Sequence, residues 1–333
     1  MRKLLIIALL PLLVGAAPTG YHVTGEIKIG GEGGWDYLTA DSAGRRLYVS
    51  HASHVVVVDL DTNQVVGDIP DTPGVHGIAI AAELNRGFVS NGRSNNVSIV
   101  DLKTLQTLSQ VDTGRNPDCI LFAPGRNEVY AFNGRGQSAT VFDAKTGTIV
   151  TTIPLEGKPE FAQADAKAGL VFNNLEDKSE VVVIDTKTHT VTNRWPIAPG
   201  EEASGMAFDE KNHRLFLGCG NKMMAMMDST SGKILATVPI GDGVDANAFD
   251  PGTQLAFASC GDGTTTIARE EAPDKLTVVQ TLETERSART MTIDPATHKI
   301  YLASAKFEAP AQGQRRGRMV PGTFKILVYS MDK

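Results

Sequence analysis

Short runs of β-branched and aromatic residues alternate with turn-forming residues along most of the chain. Leu47–His51 is followed by Val55–Asp59, a pattern that indicates two strands joined by a short loop. Runs that end in an aspartate then recur at intervals of 42, 42, 42 and 43 residues after Asp59, at Asp101, Asp143, Asp185 and Asp228. A period of about 40–45 residues with four short strands per unit is the signature of a β-propeller.

Each unit repeats one order of four strands. The first strand is rich in small residues, as in Gly77–Ile80, and small residues suit the crowded axis of a propeller. The second strand carries an aromatic residue, the third is the β-branched run, and the fourth is more polar, as expected of an outer edge strand. Seven first strands can be counted, beginning near residues 36, 76, 118, 160, 204, 245 and 289.

The last unit lacks a fourth strand of its own. It ends at its third strand, Ile326–Tyr329, whereas Val23–Ile29 precedes the first unit and has the pattern of a fourth strand. Pairing of residues 23–29 with residues 324–330 would close the ring and remove an open sheet edge. The sequence therefore predicts an all-β fold, a seven-bladed β-propeller closed by an N-terminal strand that completes the last blade.

Several residues that look chemically interesting have structural interpretations. The aspartates that end the third strands precede Thr, Ser or Gly, so we expect their side chains to cap turns. Met223–Met227 occupies a third-strand position, which favours core packing over copper binding. Cys119, Cys219 and Cys260 show no metal-binding spacing, and we expect small buried residues rather than a disulfide framework. We expect packing between blades for the second-strand aromatics, Tyr48, Phe88, Tyr130, Phe172, Phe216, Phe257 and Tyr301.

The N-terminus has the features of a cleavable signal peptide. Arg2 and Lys3 precede the apolar stretch Leu4–Val14, which is too short to span a bilayer, and small residues follow at a cleavage site after Ala16. We expect residues 1–16 to be removed, leaving residues 17–333 as one periplasmic or secreted propeller domain with no membrane span. The formal net charge of −6 argues against a nucleic-acid partner.

One blade departs from the period. A long segment, residues 305–323, separates its second and third strands and contains Arg315–Arg318 between Pro310 and Pro321. Long segments in compact domains tend to be functional or disordered. The sequence leaves open a surface insertion, a lid and a contact with a partner.

The ends of the second strands resemble a known repeat. Tyr48–His51, Phe88–Asn91, Tyr130–Asn133 and Val171–Asn174 are similar to Tyr-Val-Thr-Asn, and a β-branched run ending in Asp follows each of them. Over essentially the whole mature chain the sequence resembles the exported bacterial YncE-like seven-bladed propellers. The resemblance implies the propeller fold, whereas many members of that family have no assigned function.

Two columns of polar residues appear when the repeats are aligned. We expect the first column to surround the mouth of the central channel, with Asp36, His76, Asp118, Glu160, Ser204, Asp245 and Arg289 at its seven positions. A second column, at the ends of the second strands, should form a wider ring on the same face, with His51, Asn91, Asn133, Asn174, Cys219, Ser259 and Ser304.

Three functions fit this polar funnel. In the first, which we favour, the funnel binds a small polar ligand or a periplasmic protein partner. In the second, the funnel holds a divalent cation, with Asp36, His76 and Asp118 as candidate ligands. The protein would then be a metal-assisted lactonase-like hydrolase or a lyase, with His76 or Glu160 as general base. His51 beside His76 would favour Zn²⁺ or another transition metal, whereas Arg289 would favour neutralisation of nearby carboxylates or an anionic ligand. In the third reading, the funnel only hydrates the channel.

Overall fold

The propeller predicted from the sequence is confirmed. The computed structural model describes residues 20–309 and 317–331, and within these residues the strands form seven four-stranded antiparallel sheets. The expected leader, residues 1–16, lies outside the described residues, as do Arg315 and Arg316 of the long segment. Helical structure in the described part is limited to single turns at Ala82–Leu84 and Glu176–Lys178, and neither is long enough to cross a membrane.

The strands follow the chain blade by blade. The first strand is β1 (Tyr21–Lys28). Blade one contains β2 (Trp35–Asp41), β3 (Arg46–His51), β4 (His54–Asp59) and β5 (Val65–Ile69), and blade two contains β6 (Val75–Ala81), β7 (Arg86–Asn91), β8 (Asn96–Asp101) and β9 (Thr107–Asp112). Blade three contains β10 (Pro117–Ala123), β11 (Glu128–Asn133), β12 (Ser138–Asp143) and β13 (Ile149–Pro154), and blade four contains β14 (Pro159–Asp165), β15 (Leu170–Leu175), β16 (Glu180–Asp185) and β17 (Thr190–Pro196).

The remaining blades continue the same order. Blade five contains β18 (Ala203–Asp209), β19 (Arg214–Cys219), β20 (Met223–Asp228) and β21 (Ile234–Pro239), and blade six contains β22 (Val244–Asp250), β23 (Leu255–Cys260), β24 (Thr264–Ala272) and β25 (Lys275–Glu283). Blade seven contains β26 (Met291–Asp294), β27 (Lys299–Ser304) and β28 (Lys325–Met331), and β1 is its outer strand.

The ring closes as predicted. β1 runs antiparallel to β28, from Tyr21 opposite Met331 to Lys28 opposite Lys325. Tyr21 is buried, and its ring meets Phe257 of blade six edge-on at a centroid distance of 5.3 Å. The N-terminal strand therefore completes blade seven and also joins it to its neighbour, so no open edge remains at the junction.

Aromatic side chains fill the space between blades. The second-strand aromatics are all buried, and the ring of Phe88 in blade two lies 5.9 Å from Phe142 in blade three. Met224, Met226 and Met227 are fully buried in the same way. The sequence-based expectations of packing roles for both sets are confirmed.

The aspartates at the ends of the third strands cap turns. Asp59 accepts hydrogen bonds from the backbone N–H groups of Asp61 and Thr62 at 3.0 and 2.7 Å. The hydrogen bonds from Thr62 lower the pKa of Asp59 below its ordinary value. The same bonds form at Asp101, Asp143, Asp185 and Asp228, so the prediction is confirmed at all five positions.

Candidate functional site

The first polar column occupies equivalent positions in successive blades. Trp35, Val75, Pro117, Pro159, Ala203 and Val244 each pair with the last residue of the neighbouring second strand. In each blade the residue of the first polar column comes directly after this paired residue. The pairing register shifts at that point, so the column residue lies at a β-bulge. The seven first strands pack against one another around the axis. Because a bulge turns side chains out of the regular alternation, the column residues converge on one end of the channel.

Polar side chains on the second strands hold these bulges. The hydroxyl of Ser50 accepts the N–H of Asp36 at 2.9 Å and donates to the carbonyl of Tyr37 at 3.0 Å. In blade four, the amide of Asn173 donates to the carbonyls of Glu160 and Phe161, both at 3.0 Å. The bulges are therefore fixed by specific hydrogen bonds, and the side chains they present have defined positions.

Asp36, His76 and Asp118 form one cluster. Nδ1 of His76 lies 2.6 Å from a carboxylate oxygen of Asp36 and 3.4 Å from one of Asp118. Burial alone would lower the pKa of His76, but the hydrogen bond to Asp36 and the charge of Asp118 outweigh it and raise that pKa to about 9. His76 is therefore an imidazolium at neutral pH, and it bridges two carboxylates.

Beside this cluster, acidic side chains surround a cavity of 240 Å³. It is lined by Asp36, Asp118, Glu160, Glu176 and Asp245, together with the basic residues Lys158 and Arg289. Burial, followed by the charge of Asp36, raises the pKa of Asp118 to about 7, and burial and the charge of Asp118 raise the pKa of Glu160 to about 7. These shifts indicate crowded negative charge in a partly desolvated space.

The cations of the cavity already have partners. Nζ of Lys158 lies 2.6 Å from Glu160 and also contacts Glu176. On another side of the cavity, a guanidinium nitrogen of Arg289 lies 3.2 Å from Asp245. With His76 included, three cationic groups face five carboxylates, so the cavity is negative when all of these groups are ionised.

An aromatic pair closes the bottom of the cavity. Tyr37 and Phe161, which directly follow the column residues of blades one and four, meet at a ring centroid distance of 5.2 Å. Below them lies a second cavity of 580 Å³, lined mainly by apolar residues such as Ile78 and Leu121. The two rings divide the channel into a polar upper part and an apolar lower part, so the upper part has a floor.

The second polar column is buried. Asn91 and Asn133 have no exposed surface, and their amide groups donate to side chains of the neighbouring third strand, such as Ser98 and Thr140. Ser304 is equally buried and donates to Glu285 at 2.9 Å. These contacts support the walls of the site from behind, and a role of this column in ligand binding stays a prediction.

The alignment of the second column was wrong in two blades. Leu175 pairs with Pro159, and Cys260 pairs with Val244, so these residues take the positions assigned to Asn174 and Ser259. Asn174 lies one residue earlier and donates to the carbonyls of Ser204 and Gly205 in the next blade. Ser259 likewise donates to the carbonyl of Arg289. Both side chains therefore position the first column of the following blade.

His51 is separated from the His76 cluster by its contacts. It is buried, its Nδ1 lies 3.1 Å from Nε2 of His54, and its ring lies 4.6 Å from that of Phe324. Burial and then the neighbouring His54 lower the pKa of His51 to about 4, which keeps it neutral at neutral pH. Among the described residues, the side chains that could jointly hold a metal ion are Asp36, His76 and Asp118, without His51.

This trio fits a divalent cation in part. One ligand atom from each residue lies within 4.8 Å of the others, imidazole and carboxylate groups are both ligands of Zn²⁺, and three protein ligands would leave a fourth position open. A metal would have to displace the proton that His76 holds between its carboxylate partners, and this competition weakens binding at neutral pH.

Four residues of the site were not predicted from the sequence, namely Lys158, Glu176, Tyr37 and Phe161. Lys158 comes two residues before Glu160, and the two aromatic residues directly follow column residues. At most of the other equivalent positions the residue after the column is small, as at Gly77, Cys119 and Gly205. Two aromatic residues at positions that are small in most other blades could therefore have predicted a closed channel from the sequence.

Comparisons with known proteins support the fold. No family model matches the chain, and no curated protein matches it. The crystal structure of the RRP9 WD40 repeats is similar, with a TM-score of 0.78, 11% sequence identity, and coverage of 95% of this chain and 99% of that one. The structure of U3-55K is similar with a TM-score of 0.76, 11% identity, and coverage of 93% and 99%. At this identity the likeness establishes the propeller fold, and the YncE-like family stays a prediction.

Proposed function

We propose that the protein is an exported, periplasmic or secreted binding protein. Its binding site is the channel-mouth face, and its central cavity takes up a positively charged group of a small polar ligand or of a protein partner. A propeller fold suits a binding or scaffold role. The observation that carries the proposal is the convergence of charged side chains from six of the seven blades on one floored cavity with an excess of carboxylates.

Electrostatics support a cationic guest. Burial, followed by the charges of neighbouring carboxylates, raises the pKa values of Asp118 and Glu160 to about 7, so part of each shift comes from repulsion between carboxylates. A cation in the cavity would remove this repulsion and favour both ionised forms. A volume of 240 Å³ accommodates an amine-bearing side chain or a small amine.

The proposal is tested by calorimetric titration of the mature protein with putrescine, with uncharged butanediol as the matched ligand. We expect putrescine to bind and butanediol not to bind. Because Asp118 and Glu160 are partly protonated near pH 7, binding should release protons, so the apparent enthalpy should change with the ionisation enthalpy of the buffer.

Variants locate the site. Asp118→Asn and Glu160→Gln should each weaken putrescine binding about tenfold, because each removes one charge-assisted contact. Glu210→Gln, which removes an exposed carboxylate on a turn paired with Lys167, is the control and should bind as the wild type does. Absence of putrescine binding, or equal binding by all three variants, would refute the proposal.

A second candidate is a metal-assisted hydrolase or lyase, and the close approach of Asp36, His76 and Asp118 is the observation that favours it. A bound divalent cation would polarise a carbonyl group and acidify a water molecule. Metal analysis of the purified protein, with thermal unfolding before and after chelation, tests it. A stoichiometric metal that is lost in the double variant His76→Ala, Asp118→Ala would support this function and justify a screen of lactones and esters.

A further inference from the structure

A second cleft on the channel-mouth face has the opposite charge. It has a volume of 610 Å³ and lies over blades one to three, with Asp36 and His76 in its wall. Three arginines line it, Arg93, Arg115 and Arg135. Three guanidinium groups therefore face one carboxylate, that of Asp36, which is already bonded to His76. This is unusual in a chain with a formal net charge of −6.

The arginines are carried by ordered turns. Arg93 and Arg135 occupy the same position in consecutive blades, each within an Asn-Gly-Arg sequence after the second strand. The N–H of Arg93 donates to Pro73 at 3.2 Å, and the carbonyl of Arg115 accepts from Gly136 at 3.0 Å. The backbone next to Arg115 is held by the N–H of Asn116, which donates to the side chain of Asn95 at 2.8 Å. The backbone positions from which the three arginine side chains extend are therefore held in place around one cleft.

Two glycines keep the cleft open. A Cβ atom at Gly74 would lie 2.5 Å from Cγ of Arg93, and a Cβ atom at Gly92 would lie 2.5 Å from Nε2 of His76. Gly74 also has a positive φ of 65°, which disfavours other residues. Larger residues at either position would displace the cationic side chains from the cleft.

The cationic groups of the cleft have unused donors. Among residues 20–309 and 317–331, no carboxylate makes an ion pair with any of the three arginines. Guanidinium groups bind carboxylate and phosphate oxygens through paired hydrogen bonds, and they are weakly hydrated compared with ammonium groups.

We propose that this cleft is a binding site for a small polyanion, a molecule whose carboxylate or phosphate groups carry at least two negative charges, that Arg93, Arg115 and Arg135 hold together. A cleft of 610 Å³ is within the size range of small-molecule sites. The site goes beyond the proposed function, because its ligand carries the charge opposite to that of the central guest.

The test uses citrate and inorganic phosphate as probes, with trimethyl citrate as the uncharged match for citrate, in calorimetric titrations of the mature protein in a cationic buffer. We expect at least one of the two anions to bind and the triester not to bind. Binding of citrate alone would identify a polycarboxylate site, and binding of phosphate alone would identify a phosphate site. Absence of binding by both anions would overturn the proposal.

Single substitutions test the residues. Arg93→Gln, Arg115→Gln and Arg135→Gln should each weaken anion binding about tenfold, since each removes charged hydrogen bonds to the ligand. Arg269→Gln removes the same charge from an exposed position of blade six and should leave binding unchanged. Equal affinities in all four variants would overturn the assignment. Circular dichroism checks that each variant is folded.

The outcomes separate this site from the central cavity. If the arginine variants lose citrate or phosphate binding and keep putrescine binding, the two sites are independent and both exist. If anions bind as proposed and putrescine does not, the proposed function fails and the anion site stands. A single-stranded oligonucleotide that binds where neither small anion does would overturn the small-molecule assignment in favour of a nucleic-acid surface.

Discussion

The charge state of His76 is the property of the site that is most open to a quantitative test. Its pKa is raised from 6.5 to about 9 by the hydrogen bond to Asp36 and by the charge of Asp118, against the effect of burial. A shift of this size corresponds to about 3 kcal/mol of stability at pH values below 6.5. His76 and Asp36 keep 24% and 29% of their side-chain surface exposed, so this figure is an upper value.

The sign of the pH dependence follows from the direction of the shift. The folded protein binds the His76 proton more tightly than the unfolded chain does, so the stabilisation is complete below pH 6.5 and disappears as the pH rises to about 9. The folded protein also binds the Asp118 proton more tightly than the unfolded chain does, because the pKa of Asp118 is raised to about 7. The stability that this proton contributes is lost between about pH 4 and pH 7. The range above pH 7 therefore reports mainly on His76.

The perturbation is Asp36→Asn, and the assay is urea unfolding across this pH range. We expect the free energy of unfolding of the wild type to fall by up to about 3 kcal/mol more than that of the variant between pH 6.5 and 9. Groups that titrate alike in both proteins cancel in the difference. NMR titration of the imidazole signals should show the His76 pKa near 9 in the wild type and a lower pKa in the variant.

Asp68→Asn is the matched control. It removes a carboxylate 2.7 Å from Nδ1 of His54, in a pair whose side chains are 36% and 45% exposed. Solvent screens such a pair, so its removal should leave the pH dependence almost unchanged. A His76 that titrates at or below 6.5 in the wild type, or a stability difference that does not vary with pH, would refute the reasoning.

Three further substitutions test how the ring is closed and how the site is built. Tyr21→Ala should destabilise the protein by about 3–4 kcal/mol in denaturant unfolding, because it removes the buried ring that packs between blades six and seven. Val23→Ala, on the exposed face of the same strand, should change stability by less than about 0.5 kcal/mol. Ser90→Ala should cost about 1–2 kcal/mol by the same measurement, since its hydroxyl donates at 2.7 Å to a main-chain carbonyl of blade three, and the exposed Ser94→Ala should cost almost nothing. Phe161→Ala should open the floor between the two cavities, and a crystal structure of the variant that still shows a closed floor would contradict the assignment.

The repeat made the fold and the first polar column predictable. A period near 42 residues places Asp36, His76 and Asp118 at equivalent points of adjacent blades, and ring closure brings such points together at the axis. The pairing of residues 23–29 with the last blade followed from a missing fourth strand. In both cases the prediction required only the period of the repeat, because residues at equivalent positions of a regular repeat occupy equivalent places in successive blades.

The second column shows where counting fails. Asn174 and Ser259 were aligned with Asn91 because all are polar and close a second strand, yet the structure pairs Leu175 and Cys260 at that point. A one-residue offset in a strand reverses the direction of the side chain. Polarity alone does not distinguish a side chain that lines a cavity from one that bonds the backbone behind it.

The arginine cleft shows a limit of composition. The net charge of −6 is a sum over the whole protein, whereas a bound ligand interacts mainly with charges within about one Debye length, roughly 8–10 Å. Arg93 and Arg135 are 42 residues apart and become neighbours because consecutive blades are adjacent. The acidic balance that argued against a nucleic-acid partner therefore does not describe the charge at this point of the surface. On one face the fold places a cavity with excess carboxylates beside a cleft with excess guanidinium groups, with Asp36 and His76 between them.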